Sequence, residues 1–285
     1  MRPVVWKRSY ELPGGVRLEL GGRTLIMGIL NATPDSFSDG GRYDNVAAAV
    51  EHARVMAAEG ADIIDIGGES TRPGGAQVPL EEELRRVLPV ISAVREALPD
   101  MPLSIDTYKA ETAQRALEAG AHIINDVWGL QADPGMAAVA AAWGCPVVIS
   151  HNREAVEYGD FVPDVLDDLL RGVKTALAAG VAEERIWLDP GIGFAKNYGH
   201  NLDLLGRLEE IAALGYPVLL GTSRKRFIRE TLGLPPGDAV EGTGATVALG
   251  IAQGCQIVRV HDVKPMKRVA AMTDAIVYRR ADVRE

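Results

Sequence analysis

The order of apolar and amphipathic segments predicts an α/β chain folded as a (β/α)8 barrel, the TIM barrel architecture, behind a short N-terminal β-hairpin. Three observations carry this. Short apolar runs rich in β-formers recur at residues 24–30, 62–67, 102–106, 122–126, 146–150, 185–189, 217–221 and 256–260. Ala-, Glu- and Leu-rich segments of helical character separate them, with a beat of roughly 20–40 residues. Several of these segments stop at a glycine just before the next run, as at Gly60, Gly120, Gly180 and Gly215. That is the C′ glycine of a helix-to-strand connection.

Residues 1–23 read as a hairpin extension. Arg17-Leu-Glu-Leu alternates, and Pro13-Gly14-Gly15 and Gly21-Gly22 punctuate turns. Its predicted place is a plug or lid over one barrel end. Residues 24–285 then form one barrel domain, since no linker divides them. Helical segments are predicted from Asn45 through Ala58, then at 80–98, 109–119, 163–179, 202–214 and 265–277. The connection from Arg224 to Gly254 is longer than the others, with a loop around Pro235-Pro236-Gly237 and a helix through 245–252.

Composition narrows the function. The chain has 285 residues, 47% hydrophobic and 24% charged, which supplies an ample core. A formal net charge of −9, no Lys/Arg-rich block and 5% aromatic content argue against a nucleic-acid surface. Small anionic ligands remain compatible, because a cleft can carry the opposite sign to the whole surface. Cys145 and Cys255 stand far apart without metal-ligand spacing, and the N-terminus has no apolar signal core. Both features predict a cytoplasmic protein with reduced, buried thiols. The least polar stretch, 135–149, is broken by Gly144 and Pro146 and is too short to span a membrane.

In a parallel barrel, ligands bind at the C-terminal ends of the strands. Those ends deliver polar groups in turn: Asn31, Gly67-Gly68-Glu69-Ser70-Thr71-Arg72-Pro73, Asp106, Asn125-Asp126, Ser150-His151-Asn152, Asp189, Thr222-Ser223-Arg224-Lys225, and Arg259 with His261. Asp106, Asn125 and Asp189 each follow an apolar run directly, where an unpartnered polar group would be costly. After Asn31 comes a long acceptor-rich loop ending in Gly40-Gly41, with Phe37 in its middle.

These groups sort into two chemistries. Arg259 and His261 are two apart and so share a strand face, and barrel closure sets the last strand beside the first, which ends in Asn31. With Thr71 and Arg72 on a neighbouring loop, they suit phosphate oxygens and a Mg2+ attached to them. Asp106, Asn125, Asp189 and Lys225 suit a flat heterocycle, because a carboxylate can accept two parallel N–H bonds from an amino-pyrimidinone edge. Ser223-Arg224-Lys225 is predicted to open a helix whose first N–H groups favour an anion.

Seven motifs carry a resemblance across residues 25–270. They are Gly28-Ile-Leu-Asn-Ala-Thr-Pro-Asp-Ser-Phe-Ser-Asp-Gly-Gly, Asp65-Ile-Gly-Gly-Glu-Ser-Thr-Arg-Pro-Gly, Ser104-Ile-Asp-Thr-Tyr-Lys-Ala, Ile124-Asn-Asp-Val, Leu188-Asp-Pro-Gly-Ile-Gly-Phe-Ala-Lys, Gly221-Thr-Ser-Arg-Lys and Arg259-Val-His-Asp-Val. In this order, the chain resembles the dihydropteroate synthases of folate biosynthesis. The resemblance implies a transferase that condenses 6-hydroxymethyl-7,8-dihydropterin diphosphate with p-aminobenzoate, with Mg2+ as cofactor and a homodimer as the assembly. It implies pterin-binding roles for Asp106, Asn125, Asp189 and Lys225, and diphosphate-binding roles for Asn31, Thr71, Arg72, Arg259 and His261. Asn31 would also stand near the metal. Pro73, Phe194 and Ser223 would line the p-aminobenzoate slot, and Asp106, Lys225, Arg259 and His261 would carry catalysis.

Two other readings of such a barrel are a methyltetrahydrofolate–corrinoid methyltransferase and a non-catalytic pterin-binding subunit. The first should lack the Thr33–Gly41 loop and the Ser223-Arg224-Lys225 motif. The second should lose Asn31, Arg72, Arg259 and His261. All are present. The chain departs from the family after the fifth strand, where Asn152 is expected in place of a Met that packs on the pterin. His151 is kept, as core or as site lining. Glu69 and Asp126 are expected to brace neighbours, and Lys196 to be a surface charge.

Overall fold

The computed structural model describes residues 5–33, 42–69, 77–235 and 237–278, with the side chains of 42–44 left aside. Eight parallel strands close into a barrel: β3 (Leu25–Asn31), β4 (Ile63–Gly67), β5 (Leu103–Asp106), β6 (Ile123–Asp126), β7 (Val147–Ser150), β8 (Ile186–Asp189), β9 (Val218–Leu220) and β10 (Cys255–Val260). β10 pairs with β3, with Val260 opposite Gly28, so the last strand does stand beside the first. The helices between them are α1 (Arg42–Glu59), α2 (Leu80–Ala97), α3 (Ala110–Glu118), α4 (Met136–Trp143), α5 (Phe161–Ala178), α6 (Tyr198–Leu205), α7 (Leu208–Ala212), α8 (Arg226–Leu232), α9 (Val240–Ala252) and α10 (Val263–Tyr278). Gly120, after α3, takes φ +113°, the conformation its predicted stop requires.

Two segmentations differ from the sequence expectation. The predicted helix at 202–214 is two helices, α6 and α7, with a break at Gly206 and Arg207. α4, Met-Ala-Ala-Val-Ala-Ala-Ala-Trp, is apolar on most sides, so its sequence lacks the amphipathic period that marks a helix.

Alternation along each strand divides the apolar residues into two bodies. Outward residues such as Ile64, Ile66, Leu103, Ile105, Ile124, Ile149, Leu188 and Val258 pack under the helices. Inward residues at the strand starts, including Leu25, Met27, Ile63, Ile123, Val148, Trp187, Leu219 and Ile257, form a second cluster with Tyr10, Leu12, Val16, Leu18 and Leu20. These last five belong to the hairpin of β1 (Arg8–Glu11) and β2 (Arg17–Leu20) and the turn between them. The hairpin therefore plugs the N-terminal end of the barrel. An isolated hairpin is marginal in water. Burying four aliphatic side chains at ~1.5–3 kcal/mol each is what holds it in place. The Tyr10 hydroxyl fixes the seat, accepting from Trp187 Nε1 at 2.9 Å and donating to the Glu184 carbonyl at 3.0 Å. With that end closed, the C-terminal rim is left for chemistry. Among the described residues, no helix is long and apolar enough to cross a membrane.

Candidate active site

Inward parity at the strand ends brings the predicted groups to one rim. Asn31, Gly67, Asp106 and Asn125 are successive register partners on β3, β4, β5 and β6. A Cβ at Gly67 would lie 3.4 Å from the Asp106 Cβ, so glycine leaves Asp106 its space. Across the barrel, Ser150 partners Asp189. A Cβ at Gly221 would fall within 4 Å of both Arg259 and Asp189, which places these two side chains over one point.

Arg259 ties the rim together. Its Nε donates to Asp65 Oδ2 at 2.6 Å and its Nη2 to Asp106 Oδ2 at 2.6 Å. Asn125 Nδ2 donates to the same Asp65 oxygen at 3.1 Å. One guanidinium thus serves two buried carboxylates. Burial pushes the Asp106 carboxyl up to about 7; Arg259 opposes this and the neighbouring Asp65 adds to it. The carboxylates hold the Arg259 guanidinium above its ordinary value against the effect of burial. Below them, Asp65 Oδ1 and Ser104 Oγ, on register-paired residues, are buried without a hydrogen-bond partner.

Lys225 and the loop after β8 form the opposite wall. The Lys225 ammonium donates to the Ile192 carbonyl and stands 4.6 Å from the centroid of the Phe194 ring. Burial lowers Lys225 to about 8, with Asp189 acting against the shift and Arg259 adding to it. Asp189 accepts from the Gly191 N–H at 2.7 Å, and burial raises its carboxyl despite Lys225. Gly191 is obligatory. Its φ is +65°, and an added Cβ would meet the His151 carbonyl at 1.8 Å. Beside the loop, Ala195 and Arg224 also take positive φ. Such strain costs of order 1–3 kcal/mol and persists only where neighbours enforce it. Tyr158 donates to the Ala195 carbonyl at 2.7 Å, and Arg224 is clamped to Asp262 at 2.6 and 3.0 Å.

Ser223 accepts from the His261 backbone N–H at 3.1 Å, and its hydroxyl lies 2.9 Å from His261 Nδ1. With that hydroxyl donating to Nδ1, the neutral ring carries its proton on Nε2, a donor suited to an oxyanion. β10 ends at Val260, so His261 lies in the following turn instead of sharing a strand face with Arg259. The short α8 starts at Arg226, so Ser223, Arg224 and Lys225 precede it, with Lys225 at the N-cap position and no side-chain cap bond.

The rim therefore gathers Asn31, Asp106, Asn125, Asp189, Ser223, Lys225, Arg259 and His261, with Phe194 at its edge. Thr71, Arg72 and Pro73 lie outside the described residues, as do residues 34–41 of the first loop. Glu69 accepts from Tyr108 at 3.0 Å and Lys109 at 2.6 Å, and Asp126 accepts from the N–H groups of Trp128 and Leu130 at 2.8 Å; both brace their neighbours. His151 is core: its side chain is fully buried between Asp168 and Lys196.

Two residues escaped the sequence reading. Lys196 is not a surface charge but is 8% exposed, with its ammonium on His151 Nδ1 and two loop carbonyls. It closes the motif that begins at Leu188, which was the available signal. Asp65 is fully buried inside the barrel. Its signal was a carboxylate at an inward position between two isoleucines. Asn152 lies beyond β7 with its amide oxygen on the Arg153 N–H at 2.9 Å, whereas Ser150 is the inward strand-end residue beside Asp189.

Fold and rim together define a (β/α)8 barrel enzyme whose C-terminal rim sets the Arg259 guanidinium beside the buried side chains of Asp106, Asn125 and Asp189. The family model described as pterin binding enzyme matches residues 27–261. The chain is 58% identical over 255 residues to the dihydropteroate synthase of Bacillus subtilis, covering 90% of this chain and 89% of that one. A structure of the Clostridium difficile dihydropteroate synthase in the presence of pteroic acid superposes with a TM-score of 0.89 at 50% identity, covering 92% of this chain and all of that one. The Xanthomonas albilineans enzyme in complex with 7,8-dihydropteroate gives 0.86 at 41% identity, covering 94% and 98%. The chain belongs to the pterin binding enzyme family.

Proposed function

We propose that the rim holds the two halves of one substrate, a pterin ring and its diphosphate, and presents the bond between them to an incoming aromatic amine. The activity is that of a dihydropteroate synthase. 6-Hydroxymethyl-7,8-dihydropterin diphosphate and p-aminobenzoate give 7,8-dihydropteroate and diphosphate. The carbon–oxygen bond from the exocyclic methylene to diphosphate breaks, a carbon–nitrogen bond to the aniline forms, and the nitrogen loses one proton.

Asp189 and Asn125 would read the amino-pyrimidinone edge, with Lys225 on the ring's nitrogen and carbonyl side. Arg259, His261 and Asn31, with Thr71 and Arg72 from the second loop, would take the diphosphate. Ser223, Phe194 and Pro73 would line the p-aminobenzoate slot. The single observation that carries this division is the 2.6 Å contact between Arg259 and Asp106. It joins the anion-binding cation to a ring-binding carboxylate at one point, where the methylene–oxygen bond must lie. Breaking that bond leaves positive charge on the pterin and negative charge on diphosphate. Asp106 faces the first and Arg259 the second, so both charges are stabilised by groups already in place. The aniline needs little deprotonation to attack, and no dedicated nucleophile is required. Catalysis is then leaving-group stabilisation and positioning.

A magnesium ion fits this donor set only as a companion of the diphosphate. Among the described residues, no group of three or more His, Cys, Asp or Glu side chains could hold a metal. Asn31 would contribute one amide oxygen, the remainder coming from phosphate oxygens and water. When bound, the ion would neutralise leaving-group charge.

We also propose a homodimer formed through α9 and α10. Leu249, Met272 and Ile276 are exposed there, the last two by more than 60%. The unpaired, buried Cys145 and Cys255 support a cytoplasmic location.

Calorimetry on Arg259→Gln tests the assignment. Binding of inorganic diphosphate should fall at least tenfold while binding of the diphosphate-free pterin stays within a few fold. Equal losses for both ligands would overturn the division.

A further inference from the structure

We propose that Asp65 is a positioning residue for this reaction, one carboxylate that fixes both the amide of Asn125 and the guanidinium of Arg259. The inference rests on the pterin and diphosphate roles given to those two residues.

Asp65 sits one inward step below the rim on β4, fully buried. Its Oδ2 accepts Asn125 Nδ2 at 3.1 Å and Arg259 Nε at 2.6 Å. A carboxylate can only accept, so it dictates which end of the Asn125 amide faces it. The NH2 group points down to Asp65, and the amide oxygen is thereby given to the ligand. Asn125 then presents an acceptor, the complement of a ring N–H or an exocyclic amine, and would meet a ring acceptor badly. The same oxygen orients the guanidinium through Nε, which leaves Nη2 for Asp106 and keeps the planar group from turning away from the rim. One residue thus couples the ring cradle to the anion cluster.

The second oxygen, Oδ1, is buried without a partner, and so is Ser104 Oγ on the next strand. Buried polar atoms of native proteins are almost always satisfied. Both lie below the rim on register-paired residues, so the donor that completes Oδ1 is a buried one, a water or the Ser104 hydroxyl itself. Asp65 is absent from the ring-binding and anion-binding sets read at the strand ends because it lies below them. It acts through Asn125 and Arg259.

The test uses Asp65→Asn, which keeps the shape and removes the charge. The charges that act on Asp106 are Arg259, which touches it, and Asp65, Glu83 and Asp126 through space, with Lys225 across the rim. Removing Asp65 takes away a like charge and leaves Arg259 wholly to Asp106. Both effects make Asp106 a stronger acid. Two readouts are expected: kcat/KM for the pterin diphosphate falls by roughly tenfold to a hundredfold, mostly through KM, and the acidic limb of the kcat/KM profile moves to lower pH by about half a unit or more. A merely structural Asp65 would lower the melting temperature and leave KM near its wild-type value, so an unchanged KM for the pterin diphosphate in a folded variant overturns the inference; the shift of the limb reports the lost like charge. If wild-type protein forms no dihydropteroate, the functional reading fails instead, which keeps the two outcomes apart. Should Asp65→Asn fail to fold, Asp65→Ser, which leaves room for water, carries the same two readouts.

Discussion

The ammonium of Lys196 lies 2.7 Å from Nδ1 of His151, inside the wall behind the β8 loop. It also donates to the carbonyls of Gly191 and Phe194 at 3.0 and 3.1 Å. Three acceptors match the three N–H bonds of an ammonium, although burial pushes this group well below the ordinary lysine range. His151 Nε2 faces Asp168 at 3.2 Å, and Arg153 holds the same carboxylate at 2.6 Å. The chain Arg153–Asp168–His151–Lys196 staples both ends of the turn that carries Ile192 and Phe194, the partners of Lys225.

Lys196→Met should therefore act on stability and on the site together. Each buried acceptor left without its donor costs ~1–3 kcal/mol. Thermal denaturation should show a drop of several degrees, and KM for p-aminobenzoate should rise because Phe194 loses its anchor. A variant with wild-type melting temperature and kinetics would refute the stapling role.

Lys225→Ala removes the cation of the ring cradle but no core contact of comparable size. Its kcat should fall by roughly a hundredfold to a thousandfold, as for loss of one preorganised donor. Circular dichroism should be unchanged. Unchanged product formation in that variant would contradict the role assigned to Lys225.

The pH profile follows from Asp106 and Lys225. Asp106, raised to about 7, loses its negative charge as pH falls through that value, and with it the stabilisation of a developing pterin cation. Lys225, lowered to about 8, loses its positive charge as pH rises through that value. The profile of kcat/KM should be a bell with its top between these two values. A flat profile from pH 5 to 9 would show that neither group titrates in the free enzyme as described.

Tyr10 offers a contrast at the other end of the barrel. Tyr10→Phe removes the hydroxyl shared by Trp187 and Glu184 and should cost about 1–3 kcal/mol in chemical denaturation followed by tryptophan fluorescence. It should leave kcat unchanged, because the plug and the rim are separated by the layer of Trp187, Val148 and Ile123. A loss of kcat equal to that of Lys225→Ala would mean that the plug shapes the site.

The strands and most of the rim were legible because most apolar runs lead directly into polar residues at their C-terminal ends, and several helices stop at a glycine. Asn31, Asp106, Asn125, Asp189 and Arg259 all stand where strand alternation aims them inward. Asp65 and Lys196 were not legible. The partner of Asp65 is 194 residues away, and Lys196 follows a Gly-rich turn whose direction no periodicity gives. The division of 202–214 into α6 and α7 has the same cause: Gly206 breaks the helix within an otherwise continuous apolar pattern.

The most direct measurement of the central claim is a coupled diphosphate-release assay on the wild-type chain with the pterin diphosphate, run with and without p-aminobenzoate. One diphosphate should appear for each dihydropteroate formed when both substrates are present. Release that never yields dihydropteroate, or dihydropteroate formed without diphosphate, would contradict a rim that divides one breaking bond between Asp106 and Arg259.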